Sequence, residues 1–106
     1  MVIERFAVYL VSLDPARGAE IQKTRPCVVI SPDELNARLL TVIIAPLTGV
    51  LRRYPFRVDS TFARKRGQIA LDQMRAVDKN RLVKRLGALD QPTAQRVLKV
   101  LQQLFA

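Results

Sequence analysis

PCVVISPDELNARLLTVIIAPL, residues 26–47, reads as two buried strands joined by one turn of helix, and its reading decides the fold. Pro26–Ser31 (PCVVIS) is a short apolar run rich in β-branched residues. It is too short for a buried helix and fits a strand covered on both faces. Pro32-Asp33-Glu34 then resembles a helix start, so a single helical turn is expected over Asp33–Arg38. Leu39–Leu47 (LLTVIIAPL) returns as a strand at the centre of the core, and Thr48-Gly49 ends it.

Upstream, Ala7–Leu13 (AVYLVSL) has the same β character. Asp14-Pro15 breaks it, and a polar loop containing Gly18 runs from Ala16 to Thr24. Downstream, Tyr54–Val58 (YPFRV) alternates as a half-buried strand, with Pro55 favouring its start or a sheet edge. Gln68–Leu71 and Met74–Val77 are further strand candidates, and Arg85–Leu89 a shorter one. The last segment changes period. Asp90-Gln91-Pro92 supplies a cap and an early helical proline, and Ala94, Val97, Leu98, Leu101, Leu104 and Phe105 recur with the spacing of one helix face. That stripe is expected to pack on the sheet. The whole predicts a single domain over residues 1–106, mainly β with a C-terminal helix, built as a small, strongly bent antiparallel barrel.

Composition narrows the chemistry. The net charge is +9, from 18 Lys and Arg against 9 Asp and Glu, which points to an anionic partner. Histidine is absent, so imidazole acid–base catalysis, Ser-His and Cys-His nucleophiles and most zinc sites are excluded. A single cysteine, Cys27, cannot form an internal disulfide and fits a small core residue. Met1-Val2-Ile3-Glu4-Arg5 lacks the charged start and apolar stretch of a secretory signal. No apolar run approaches the roughly 18 residues that span a bilayer. A cytoplasmic protein that needs no membrane, metal or cofactor is expected.

The loop between the first two strands holds Arg17, Glu20, Lys23 and Arg25. Pro26 restricts Arg25 to extended backbone, a fixed launching point for a guanidinium. Arg25 therefore reads either as a phosphate clamp or as half of a surface ion pair. Thr48, at a strand end beside Gly49, reads either as a hydroxyl donor to a phosphate or as a turn cap. Between Arg52 and Arg85 stand eleven Lys and Arg against three Asp, and Arg64-Lys65-Arg66 beside Gly67 looks like a mobile basic loop. This run either contacts RNA or is a solvated face. Tyr54 and Phe56 either stack on bases or belong to the core.

Taken in order, these segments resemble the MazF/PemK/Kid toxins. The shared pattern is a strand ending in a D-P turn (VYLVSLDP, 8–15), G-x-E (Gly18-Ala19-Glu20), K-x-R-P before an apolar strand (KTRPCVVIS, 23–31), A-P-L-T (45–48), Y-P-F-x-V (54–58) and G-x-x-x-L-D-Q-x-R-x-V-D (GQIALDQMRAVD, 67–78), then a leucine-rich terminal helix. The resemblance covers residues 7 to 105, and the order and spacing are more specific than any one motif. Two positions depart from it: Phe6-Ala7 stands where Gly-Asp or Gly-Glu is common, and Gly49 where Ser or Thr often follows the threonine.

The resemblance implies an SH3-like barrel of the CcdB/MazF type, a homodimer, and metal-independent cleavage of single-stranded RNA at short sequences, leaving a 2′,3′-cyclic phosphate and a 5′-hydroxyl. It implies Arg25 and Thr48 as the catalytic pair and Glu20 as a supporting acid. Gln73 and Arg75 would line the same face; Arg17, Lys23, Arg64, Lys65 and Arg66 are the further RNA contacts expected from the basic loop and the basic run themselves. An acidic antitoxin of the MazE/PemI kind would be the protein partner. A guanidinium holds its proton too firmly to exchange it near neutral pH, which favours charge stabilisation over proton transfer for Arg25 and leaves Glu20 as the expected base. The competing readings are a CcdB-like gyrase-binding toxin without enzymatic activity, and an RNA-binding module without chemistry.

Overall fold

The computed structural model describes residues 2–15 and 17–106. Met1, the first residue of the N-terminal stretch, and Ala16, the first of the polar loop, lie outside the described residues. In chain order the elements are β1 (Ala7–Ser12), β2 (Thr24–Val29), α1 (Asp33–Arg38), β3 (Thr41–Thr48), β4 (Arg57–Phe62), β5 (Lys65–Ala70), β6 (Arg75–Asp78), β7 (Leu82–Ala88) and α2 (Gln91–Leu104). All strand pairs are antiparallel, in the order β4-β5-β3-β2-β1-β7, with β6 also on β3. The expected architecture, mainly β with a terminal helix, is the one observed.

β3 is where the sheet forks. Thr41–Ile44 pair with β6, Leu47 and Thr48 pair with β5, and Pro46 stands where the partner changes. Alternation along the strands gives two apolar faces. One buries Tyr9, Val11, Leu13, Cys27, Val29, Val42, Ile44 and Val77 inside the curl. The other buries Val8, Val28, Ala45, Ile69 and Leu71 beneath Val97 and the partly buried Val100 and Leu101 of α2. Asp90 caps that helix by accepting from the Thr93 amide at 2.8 Å, and the hydrogen bonds from Thr93 hold its carboxyl below the usual range. The curl brings the sheet's two ends together without pairing them. A Cβ placed on Gly87 of β7 would lie 3.2 Å from the Phe62 ring of β4, so the ring packs directly on glycine backbone.

Four expectations need correction. β2 starts at Thr24, because Val11 and Ser12 of β1 pair with Arg25 and Thr24, so Arg25 lies inside the strand and not before it. Tyr54-Pro55-Phe56 is loop and β4 starts at Arg57; Phe56 has φ +64°, which breaks the extended chain there. Arg64-Lys65-Arg66 is no mobile loop. Ala63 and Arg64, with φ +51° and +66°, form a two-residue hairpin turn whose left-handed conformation matches strand twist, and Lys65 and Arg66 pair with Phe62 and Thr61. Finally, β7 runs over Leu82–Ala88 instead of Arg85–Leu89. Its pairing with β1 skips Val83 and Leu86, two bulges that erase the alternation by which a strand is read.

Candidate active site

β2 and β3 are hydrogen-bonded partners over only Cys27–Val29, opposite Ile44–Pro46. Beyond Cys27 and Pro46 the pairing stops. Extending the register by two residues sets Arg25 opposite Thr48, on the face that carries Cys27 and Pro46. Both residues line one cleft of about 470 Å³, with Lys65 and Arg66 of the hairpin on its rim and Phe62 and Leu86 in its wall. The two residues that the sequence singled out are thus brought together, 23 positions apart in the chain.

Each is held. Arg25 is half-buried, and its Nε donates to the Gln22 carbonyl at 2.9 Å. That bond fixes the fork and leaves its two terminal amino groups without a hydrogen-bonded acceptor among the described residues, free for an anion. Thr48 is 8% exposed, and its Oγ1 accepts from the Val50 amide at 3.1 Å. That bond occupies one lone pair and leaves the hydroxyl proton to donate. β5 presses on the same residue. A Cβ at Gly67 would sit 2.6 Å from the Thr48 carbonyl oxygen, so only glycine lets β5 close against the strand end.

Glu20, Gln73 and Arg75 are placed elsewhere. They line a second cleft of about 380 Å³ with Leu13, Pro46 and Met74. Pro46 and Thr48 are two apart on β3, so the clefts adjoin. The Glu20 carboxylate accepts from the Arg17 amide at 2.5 Å and turns into its own loop. Gln73 accepts from the Ile21 amide at 2.8 Å and donates to the Ala19 carbonyl at 3.3 Å, while Arg75 donates to the Leu13 carbonyl at 3.4 Å. In this conformation the D-Q-x-R block holds the loop that launches Arg25. Arg81, which the sequence marks only as one of the basic run, does the same by donating to the Ser12 and Asp14 carbonyls. Its position 67 residues from Asp14 left no local signal. Arg17 and Lys23 are exposed on the loop, with the Lys23 amide donating to Asp14 Oδ1 at 2.9 Å.

Cys27 lies between the clefts, fully buried. Burial pushes its thiol up to about 12, against the opposing pull of Arg25 and Arg75. Roughly one thiol in ten thousand would be ionised at pH 8. The native protein is expected to resist iodoacetamide at that pH and to react once denatured, as read by mass spectrometry. Rapid labelling of the folded protein would mean that the two arginines, not burial, set the thiol.

Among the described residues the one ion pair is Arg57–Asp72, so most of the positive charge is uncompensated by direct contact. Log affinity for a single strand should then fall with log salt by about 0.7 per phosphate neutralised. Replacing Arg64, Lys65 and Arg66 together with Ala is expected to flatten that slope by up to about 2. An unchanged slope would make the hairpin a solvated face. Among the described residues, no three His, Cys, Asp or Glu side chains group as metal ligands would. No described helix is long and apolar enough to cross a membrane.

Residues 4–105 match the family model described as "PemK-like, MazF-like toxin of type II toxin-antitoxin system". A curated relative, "Endoribonuclease MazF" of Staphylococcus saprophyticus, is 34% identical over 102 residues, covering 91% of this chain and 85% of its own. Among solved structures, MazF from Deinococcus radiodurans superposes with a TM-score of 0.85 at 23% identity, over 99% of this chain and 97% of that one. An endoribonuclease from a mycobacterial species, solved in complex with its cognate antitoxin, gives 0.82 at 20% identity, over 97% and 94%.

Proposed function

The chain belongs to the PemK-like, MazF-like toxin family of type II toxin–antitoxin systems, and from that premise we propose that it is an endoribonuclease that cuts single-stranded RNA at short sequences. The observation that carries the reading is the cleft in which Arg25 and Thr48 face each other where β2 and β3 part.

RNA brings its own nucleophile, the 2′-hydroxyl. What the protein must supply is in-line positioning and stabilisation of the charge that grows on the phosphate oxygens. The free end of the Arg25 fork supplies two charge-assisted donors, and Thr48 a third from the other wall. Lys65 and Arg66 draw the backbone in. The 2′-oxygen attacks phosphorus, the bond to the 5′-oxygen breaks, and that oxygen takes a proton from water, so the products are a 2′,3′-cyclic phosphate and a 5′-hydroxyl. No step needs a metal ion. Glu20 is the acid assigned to take the 2′-hydroxyl proton. Its carboxylate caps the Arg17 amide and faces the adjoining cleft, so this role requires that cap to open when RNA binds. Gln73 and Arg75 serve the site by fixing the loop, with Arg17 and Lys23 meeting RNA from its outer side.

The working unit is a cytoplasmic homodimer of one toxin domain per chain, silenced by an acidic antitoxin whose disordered tail folds along the basic face. The mycobacterial relative held by its cognate antitoxin supports that partner.

Incubation of the purified protein with mixed single-stranded RNA in EDTA tests the reading. Discrete cleavage supports it. Intact RNA overturns it, and inhibition of gyrase in its place would put the chain with non-enzymatic toxins.

A further inference from the structure

The loop between β3 and β4 is fastened at both ends. Gln68, buried in β5 opposite Thr48, grips Arg52 by both backbone groups: its Oε1 accepts from the Arg52 amide at 3.0 Å, and its Nε2 donates to the Arg52 carbonyl at 2.9 Å. At the other end Arg57 makes a fork-to-fork pair with Asp72, Nε to Oδ1 at 2.6 Å and Nη2 to Oδ2 at 3.1 Å. The Arg57 side chain is only 5% exposed. A guanidinium so held is a rigid plate. Tyr54 lies against it, with the Arg57 carbon 5.0 Å from the ring centroid, yet Tyr54 stays 52% exposed.

We infer that Tyr54 is a preorganised stacking platform for one RNA base, its inner face covered by Arg57 and its outer face open. The inference rests on the ribonuclease reading and adds a specificity residue to it. Three observations carry it. The ring's cationic backing and the anchored loop fix it before any ligand arrives, so little conformational entropy is lost on stacking. Phe56, the other aromatic of the Y-P-F motif, is partly buried, which leaves Tyr54 as the exposed ring of the pair. Its support also places it. Asp72 lines the cleft that adjoins the Arg25–Thr48 cleft, and the loop itself leaves from Thr48. A base on Tyr54 therefore belongs to a nucleotide close to the cleaved bond. Stacking is tolerant of base identity, so Tyr54 would favour purines by overlap area without reading an edge.

The chain contains no tryptophan, so Tyr54→Trp installs a single indole fluorophore at the platform. This variant is mixed rapidly with single-stranded RNA, and emission is read before the first turnover, beside steady-state kinetics of Tyr54→Phe and Tyr54→Leu. Stacking predicts quenching of the indole emission by half or more, Tyr54→Phe within about twofold of the parent, and Tyr54→Leu raising KM roughly 5- to 100-fold, the loss of one base stack. A merely structural tyrosine would give no quenching, and Leu would lower the melting temperature without separating KM from kcat. RNA that is cut normally, with no quenching and an unchanged KM for Tyr54→Leu, overturns the platform and leaves the ribonuclease reading standing. RNA that neither the parent nor any variant binds or cuts overturns both.

Discussion

Arg25→Ala is expected to lower the cleavage rate about a thousandfold or more in single-turnover assays, while the protein still folds. Removing one preorganised donor from a developing oxyanion typically costs on the order of a hundred- to a thousandfold. Arg25 supplies two such donors and a full charge, so the loss should lie at or beyond the upper end. The fold should survive because the guanidinium is not part of either apolar cluster, and its one hydrogen bond among the described residues runs only to the Gln22 carbonyl, three positions upstream. A melting temperature within a few degrees of the parent, with unchanged circular dichroism, would separate lost chemistry from lost structure. Arg25→Lys should recover only a small part of the rate. An ammonium keeps the charge but has neither the fork nor the Nε that ties the side chain to Gln22. Cleavage by Arg25→Ala at the parent rate would remove the site.

Thr48→Ala should cost about a hundredfold and Thr48→Ser less than about tenfold. On the proposed mechanism the hydroxyl has two tasks: it accepts from the Val50 amide, and its proton is left to donate to the phosphate. Alanine ends both and leaves the Val50 amide without its acceptor in a turn that carries the β3–β4 loop. Serine keeps both, at the cost of a freer χ1. The decrease should fall on kcat, since the donor matters most where phosphate charge is greatest. Equal rates for alanine and parent would show that Thr48 only caps its turn.

The main lines of this fold were legible in the sequence. β1, β2 and β3 came from apolar runs with clear punctuation, α1 from the Pro32-Asp33-Glu34 start, and α2 from an unbroken helical stripe with Asp90 and Pro92 at its start. The misreadings share one cause. A left-handed Phe56, a hairpin turn built from Ala63 and Arg64 without Gly or Asn, and the bulges at Val83 and Leu86 are conformations that neighbouring strands impose and local propensity does not announce. Arg25 and Thr48 could each be singled out by local context. That they face each other depends on the β2–β3 register, which no local pattern encodes. Glu20 came from the resemblance alone, as a supporting acid; the loop sets it in the adjoining cleft with Gln73. Gln68 and the Arg57–Asp72 pair were invisible as a support for Tyr54, because their partners lie 16 and 15 residues away.

The central claim is that Arg25 and Thr48 assist attack by the RNA's own 2′-hydroxyl. The most direct test compares two oligonucleotides in EDTA, one all-RNA and one lacking only the 2′-hydroxyl of the nucleotide 5′ to the cut phosphate. Both should bind with similar affinity. The first should be cleaved to a 2′,3′-cyclic phosphate and a 5′-hydroxyl, and the second should stay intact. Cleavage of the deoxy-substituted strand at the same position and rate would contradict the claim.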